Sequence, residues 1–279
     1  MDDFEGRVAV ITGAASGIGL GLSRTAAREG MRVVMADIER PALEEAAAEV
    51  VELATETLAV PTDVTDAAAV EALAAAAYDR FGAVHLLCNN AGVFQAGVTW
   101  ERTRADWEWV MAVNFWGVLN GIQAFVPQML EAGEPGHVVN TSSVAGITTV
   151  AYSGPYVVSK FACAALTECL AHDFRAQGAP LGASCLVPGA VATGIARSGR
   201  NRPDEPPSEA QAPDHAFVEG ALADMIATKG REPDEAGEIV FAGIRAGQFW
   251  ITTMDDLAPL MQERYDAIRA FELPVGAQY

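Results

Sequence analysis

The sequence predicts an α/β fold: one domain over residues 1–279, with a doubly wound parallel sheet and helices on both faces. Three observations carry this. Short β-branched runs alternate with Ala-rich segments of helical character along most of the chain. Several of the runs are apolar at nearly every position, as parallel strands covered on both faces are. The residues that break the apolar pattern, Gly13, Asp37, Asp63, Asn90, Ser143 and Pro188, all fall at the carboxyl ends of those runs. That is the edge where such sheets bind ligands.

In chain order, "RVAVIT" (7–12) reads as the first strand and 17–30 as the helix behind its glycine turn. "MRVVMAD" (31–37) leads to a helix over 41–53, and "TLAVPTDV" (57–64) to one over 66–81. "VHLLCNNAG" (84–92) precedes a long helix near 104–131, and "HVVNTSS" (137–143) one from about 155 to 178. "GASCLVPG" (182–189), a helix near 234–246 and "QFWITT" (248–253) complete the sheet. The handedness rule for crossovers leaves few topologies for this series. One connection is long: residues 194–232 are rich in Pro and charge, with a short helix near 214–227. Following directly on a strand end, it reads as a substrate lid, mobile because it has too little apolar content to pack tightly. The tail, about 255–279, carries a further amphipathic helix, expected on the body or on a neighbouring subunit.

With 51% hydrophobic and 20% charged residues, the chain can fill the core of one large domain. A net charge of −19 argues against nucleic acid and anionic membranes, which would repel it. The N-terminus "MDDFEGRVAVITG" lacks the pattern of a secretory signal, and no run looks apolar enough to span a bilayer. A cytoplasmic protein is expected. Cys88, Cys163, Cys169 and Cys185 lack zinc-like spacing and read as buried core thiols. His85, His137 and His172 flank strands or lie late in a helix, where solvated or capping roles are commonest; His215 falls in the long connection. No His/Asp/Glu cluster suggests a metal.

The turn "VAVITGAASGIGLGL" places Gly13, Gly17 and Gly19 between a strand and a helix. Glycines there let the backbone turn tightly and bring a pyrophosphate to the helix N-terminus. The spacing is G-x-x-x-G-x-G rather than G-x-G-x-x-G. Asp37, at the end of the second strand, suits a carboxylate that binds an adenosine ribose; as a helix cap before Pro41 it would sit less naturally. Together they point to a dinucleotide site.

"TGAASGIG" (12–19), "DV" (63–64), "NNAG" (89–92), Asn114, "SS" (142–143), "YVVSK" (156–160) and "PGAVAT" (188–193) resemble the short-chain dehydrogenase/reductase family, from about residue 7 to 193. The resemblance implies a Rossmann-like fold and a catalytic tetrad of Asn114, Ser143, Tyr156 and Lys160. It implies a dinucleotide held by Gly13, Ser16, Gly17, Ile18 and Gly19 of the turn, by Asp37 and Ile38, and by Asp63 and Val64. Asn90, Ala91 and Gly92, Tyr156 and Lys160, and Pro188, Gly189, Val191 and Thr193 would complete that site. Asp63 would contact the adenine ring, Asn90 would steady the central strand, and Pro188, Val191 and Thr193 would hold the nicotinamide carboxamide. Helix pairing of the family kind implies a homodimer or homotetramer.

The chemistry of the tetrad follows from residue type. Tyr156 and Lys160, i and i+4, share one helix face. A free tyrosine, with a pKa near ~10, is a poor base at neutral pH, and a nearby ammonium favours its phenolate. Ser143 can hydrogen-bond a substrate oxygen, and Asn114 would hold a water that links Lys160 to solvent. The expected activity is NAD-dependent hydride exchange between a secondary alcohol, or its ketone, and the nicotinamide. NAD is preferred to NADP because the Asp37 carboxylate would repel a 2′-phosphate. Arg40 is the one cation near it in sequence and is expected to face solvent. Alternatives are an NADPH-dependent carbonyl reductase and, in a different class, a non-catalytic dinucleotide-sensing regulator. A nucleotide-sugar dehydratase or epimerase would need a larger C-terminal domain, and "NTSSVAG" lacks the G-x-S-x-G elbow of a hydrolase. Candidate substrate residues are Ser143, Val144, Phe94 and Ala190. Gln95, Ala145 and Val150 to Ser153 are further wall candidates, and the apolar majority favours a cyclic, aromatic or terpenoid-like alcohol.

Overall fold

Val8–Thr12 forms the first strand, β1, buried at every position because helices cover both of its faces. In this computed structural model, which describes residues 1, 3–53, 56–203, 213–274 and 276 (side chains of 213 and 215 excepted), seven strands are assigned. After β1 come β2 (Arg32–Asp37), β3 (Thr57–Pro61), β4 (Leu86–Asn89), β5 (Gly136–Thr141), β6 (Leu181–Val187) and β7 (Trp250–Thr252). They form one sheet in the order β3-β2-β1-β4-β5-β6-β7, and every pairing is parallel. The chain winds one way from β1 to β3 and the other way from β4 to β7, so the order reverses between β1 and β4. A reversal of this kind opens a crevice at the carboxyl ends of the two strands.

Alternate residues of each strand feed two cores. Ala9 and Ile11 of β1 pack with Leu22 and Ala26 of α1 (Gly17–Arg28), Leu43 of α2 (Arg40–Val51), and Val240 and Phe241 of α8 (Pro233–Arg245). Val8 and Val10 face Leu73 of α3 (Ala67–Phe81), Phe125 of α5 (Gly117–Ala132) and Phe174 of α6 (Gly154–Gln177). Helix ends follow the local chemistry. The Asp66 carboxylate accepts from Ala68 N–H and starts α3, while Gly82, Gly133 and Gly178 end α3, α5 and α6 in left-handed conformation. Five strands, β3 to β7, stop earlier than the runs that mark them. After Pro61, Thr65 N–H and hydroxyl donate to Asp63 Oδ1 (2.9 and 2.8 Å) and turn the chain.

The long helix is not uniform. It consists of α4 (Arg104–Met111), a π-helical segment Ala112–Trp116, and α5. α4 opens with a reciprocal capping box between Thr103 and Asp106. Contrary to the sequence expectation, Arg104–Ala132 has the length and apolarity needed to cross a membrane. Its apolar stripe, including Val118, Ile122, Phe125, Val126 and Met129, instead lies within the core.

The connection after β6 also differs from expectation. Ile195–Asn201 winds into 3₁₀ turns, and α7 (Pro213–Lys229) buries Val218 completely against Phe94 and Ala96. Val98 N–H donates to Asp214 Oδ2 (2.6 Å), and Arg202 pairs with Asp106. α7 thus has enough apolar surface to pack, because Val218 and Leu222 fall on one side of it, while Phe217 stays exposed. Residues 204–212 of the expected lid lie outside the described residues, as do the His215 side chain and 275 and 277–279 of the tail. α9 (Ala258–Ala270) rests on the body, with the Arg264 guanidinium 5.2 Å from the Phe161 ring centroid.

Candidate active site

β1 ends in the glycine turn. Gly13 and Gly17 adopt φ of +66° and +54°, the left-handed region that glycine enters without strain. A Cβ on Gly13 would lie 2.9 Å from Ala91 Cα, and one on Gly17 would lie 2.8 Å from Thr193 Cγ2. Gly19 serves differently: its Cβ would fall 2.0 Å from Gly13 O, so its bareness lets α1 start directly on the turn. Asn90 ties the crevice together. Its N–H donates to Thr12 Oγ1 (2.9 Å), its Nδ2 to Thr12 O (3.0 Å), and its Oδ1 accepts from Thr141 Oγ1 (3.2 Å). The carboxyl ends of β1, β4 and β5 are locked in this way.

At the end of β2, Asp37 Oδ2 accepts from Ala15 N–H and Oδ1 from Glu39 N–H, both at 3.0 Å. Burial pushes its carboxyl above the ordinary value, and those two hydrogen bonds oppose the rise. The carboxylate is therefore held rigidly at the mouth of the glycine turn.

α6 places Tyr156 and Lys160 one turn apart. Lys160 is almost wholly buried; its Nζ donates to Thr141 O (2.9 Å) and lies 5.7 Å from the Tyr156 ring centroid. The Tyr156 ring meets Phe94 edge-on at 5.0 Å. Ser143 sits just past β5, its Oγ accepting from Ala145 N–H (3.1 Å). Asn114 occupies the π segment, where Gly117 N–H reaches back five residues to Ala112 O. Such single π turns are enriched at functional sites. The side chain is wholly buried. Its Oδ1 accepts from Val93 N–H (2.8 Å), and its Nδ2 donates to Val93 O and Ser159 Oγ (both 2.9 Å). Ser159 in turn donates to Tyr156 O (2.7 Å), so Asn114 braces both the Val93 loop and the start of α6.

All of this opens on one cavity of about 1140 Å³. Every site residue singled out in the sequence lines it except Gly19, packed beneath the turn, and Asn114, behind the wall. Of the further wall candidates, Ala145 and Val150 line it, whereas Gln95, Ala151, Tyr152 and Ser153 do not. Gln95 is buried and turned to Ala96 O. Leu222 and Met225 on α7 line the cavity as members of the expected lid, whereas Trp109 and Val113 on the long helix line it without having been singled out in the sequence. Glu39 was likewise not singled out; it meets Arg200 and Asn201 of the lid segment, whose side chains both donate to its Oε1 at the Asp37 end. The spacing of Trp109 and Val113 four apart, ahead of Asn114, was the one signal that could have found that pair.

The other candidates resolve as structural. His85 and His137 are buried, not solvated: His85 Nδ1 accepts from Val8 N–H (3.1 Å), and His137 Nε2 bonds Ser184 Oγ (2.7 Å). Burial chiefly, and then the N-terminal charge, lowers the His137 pKa to about 4. His172 is exposed on α6. Cys88, Cys163 and Cys185 are core thiols, but Cys169 is exposed because its position faces away from the sheet. Among the described residues no cluster of three His, Cys, Asp or Glu could hold a metal.

Residues 7–204 match the family model of the short chain dehydrogenases. A CLA biosynthesis dehydrogenase/reductase of Lactiplantibacillus plantarum is 31% identical over 271 residues, 96% of this chain and 95% of its own. A 1-deoxy-11-beta-hydroxypentalenate dehydrogenase of Streptomyces exfoliatus is 42% identical over 67% of this chain and 68% of its own. The crystal structure of a short chain dehydrogenase/reductase from Burkholderia phymatum in complex with NAD is 38% identical, covers 100% of both chains and has a TM-score of 0.96. Sheet order, glycine turn and sequence similarity agree, and the chain belongs to the short-chain dehydrogenase/reductase family of oxidoreductases.

Proposed function

We propose that the protein is an NAD-dependent oxidoreductase that exchanges a hydride between a secondary alcohol, or its ketone, and the nicotinamide, with Asn114, Ser143, Tyr156 and Lys160 as its catalytic tetrad. The observation that carries this reading is the single cavity that joins the glycine turn and Asp37 at one end to Ser143, Tyr156 and Lys160 at the other. The glycine turn fits a dinucleotide, since Gly13, Ser16, Gly17 and Ile18 line the cavity where α1 begins, and the N–H groups of a helix N-terminus suit a pyrophosphate. A bound nicotinamide would supply the hydride acceptor. Asp37 would orient the adenosine ribose, and Ile18, Asp63, Val64 and the 188–193 loop would line the rest of the dinucleotide.

Within the chain, Tyr156 would take the proton of the substrate hydroxyl, and Ser143 would hold the same oxygen. Lys160, its Nζ 5.7 Å from the Tyr156 ring centroid, would place a positive charge beside the proton transfer. Asn114 would act from behind, fixing Val93 and α6 so that Lys160 and Tyr156 keep their spacing. Phe94, Trp109, Val144, Leu222 and Met225 make an apolar wall that suits a cyclic, aromatic or terpenoid-like alcohol. The name of the Streptomyces exfoliatus relative, a hydroxypentalenate dehydrogenase, supports that class. Residues 194–232 would serve as a lid that excludes water. A homodimer or homotetramer would bury Trp116 and Val158, both about half exposed on adjoining helices. A cytoplasmic setting suits four free thiols. The test is a panel of alcohols followed by NADH absorbance, with wild type and Tyr156→Phe. The variant should bind NADH normally and lose ~10²–10⁴ in kcat. Near-normal turnover by Tyr156→Phe refutes the mechanism.

A further inference from the structure

We propose that Glu39 is a coenzyme-selectivity residue, acting by engaging Arg200 so that no free guanidinium meets the 2′ position of the adenosine ribose. This inference rests on the reading of the cavity as an NAD site. The chain leaving β6 crosses the carboxyl edge of the sheet. Ser198 is fastened behind β4, accepting from Phe94 N–H (2.8 Å) and donating to Phe94 O (3.2 Å). Arg200 and Asn201 then reach Glu39, just behind β2. Between β6 and β2 the sheet order places β5, β4 and β1, so a cation arrives at the Asp37 end from the opposite half of the sheet.

Glu39 is aimed to receive it. Its N–H donates to Asp37 Oδ1 (3.0 Å), which folds the chain after β2. Its Oε1 accepts from Arg200 Nη2 (2.5 Å) and Asn201 Nδ2 (2.9 Å). Hydrogen bonds from Arg200 and Asn201 hold the Glu39 carboxyl below its ordinary value, so it stays charged. Asp37, Ile38, Glu39, Arg200 and Asn201 all line the cavity. A free guanidinium here would be a bidentate partner for a phosphomonoester. Paired with Glu39, it is not. Two carboxylates therefore work by different means: Asp37 repels a 2′-phosphate directly, and Glu39 occupies the cation that would offset the repulsion. Arg40, the cation adjacent in sequence, is two-thirds exposed and lies 3.8 Å from Glu44.

Titration of NADH and NADPH against protein fluorescence tests this in wild type, Asp37→Ser, Asp37→Ser/Glu39→Gln, and that double variant with Arg200→Gln or Arg200→Ala. The double variant should bind NADPH ~10-fold or more tightly than Asp37→Ser alone. Removing Arg200 should abolish that second gain while NADH still binds, which also reports that the fold is intact. A gain that survives loss of Arg200 would reduce Glu39 to simple repulsion and overturn the proposal. So would the absence of any second gain. A wild type that binds neither coenzyme would instead refute the site reading itself, and the selectivity role with it.

Discussion

Replacing Asn114 by alanine removes three buried hydrogen bonds at once, and the cost can be worked from their partners. Val93 N–H and Val93 O both lose the Asn114 side chain as partner, in a residue that is itself buried. Ser159 keeps its donation to Tyr156 O. Two orphaned backbone groups at about 1–3 kcal/mol each give a loss of about 2–6 kcal/mol. For a chain of this size each kcal/mol moves Tm by ~2–4 °C, so a fall of about 10 °C is expected. Thermal unfolding by circular dichroism at neutral pH reads it, and a urea midpoint that moves at constant slope checks it. Below the lowered Tm, kcat should still be depressed, because the Val93 loop and α6 no longer brace each other. A Tm within about 2 °C of wild type would show that the bonds to Val93 carry little, and the bracing role would fall.

Other perturbations test other parts. His137 is held neutral with a pKa of about 4 against 6.5 for the free group, so the unfolded chain binds a proton that the folded chain refuses. Stability should therefore fall by roughly 3 kcal/mol as pH drops from 6.5 to 4 and be indifferent to His137 above that window. His137→Gln should flatten this part of the curve in urea titrations, and an unchanged slope would contradict the burial argument. Gly19→Ala puts a methyl 2.0 Å from Gly13 O and should weaken NADH binding ~10-fold or more by displacing the turn. Gly220→Ala, with nothing within 4 Å, is the control, and equal affinity in the two variants would sink the packing argument. Light scattering at micromolar concentration should show a dimer or tetramer, and a monomer would leave the exposed Trp116 and Val158 unexplained.

Much of this architecture was legible in the sequence because it depends on short-range patterns. Apolar runs such as Val8–Ile11 mark strands covered on both sides, and all seven strands fall within or beside the runs that mark them. The glycine turn was readable because a bare backbone between strand and helix has few other uses. Tyr156 and Lys160 were readable because four residues make one helical turn. Tertiary structure decided what no neighbouring residue could signal. The π segment that sets Asn114 depends on Val93 and Ser159, 21 and 45 residues away. His85 and His137 are buried because Val8 and Ser184 meet them across strands. α7 packs rather than waving free because Val218 finds Phe94 and Ala96 more than a hundred residues back. Arg200 reaches Glu39 across 161 residues, against a local sequence that offers only Arg40. Periodicity and turn chemistry are set by the few bonds around a residue, so a string of letters records them. The partner of a buried polar group is chosen by where the whole sheet brings the chain, and that is determined only when it folds.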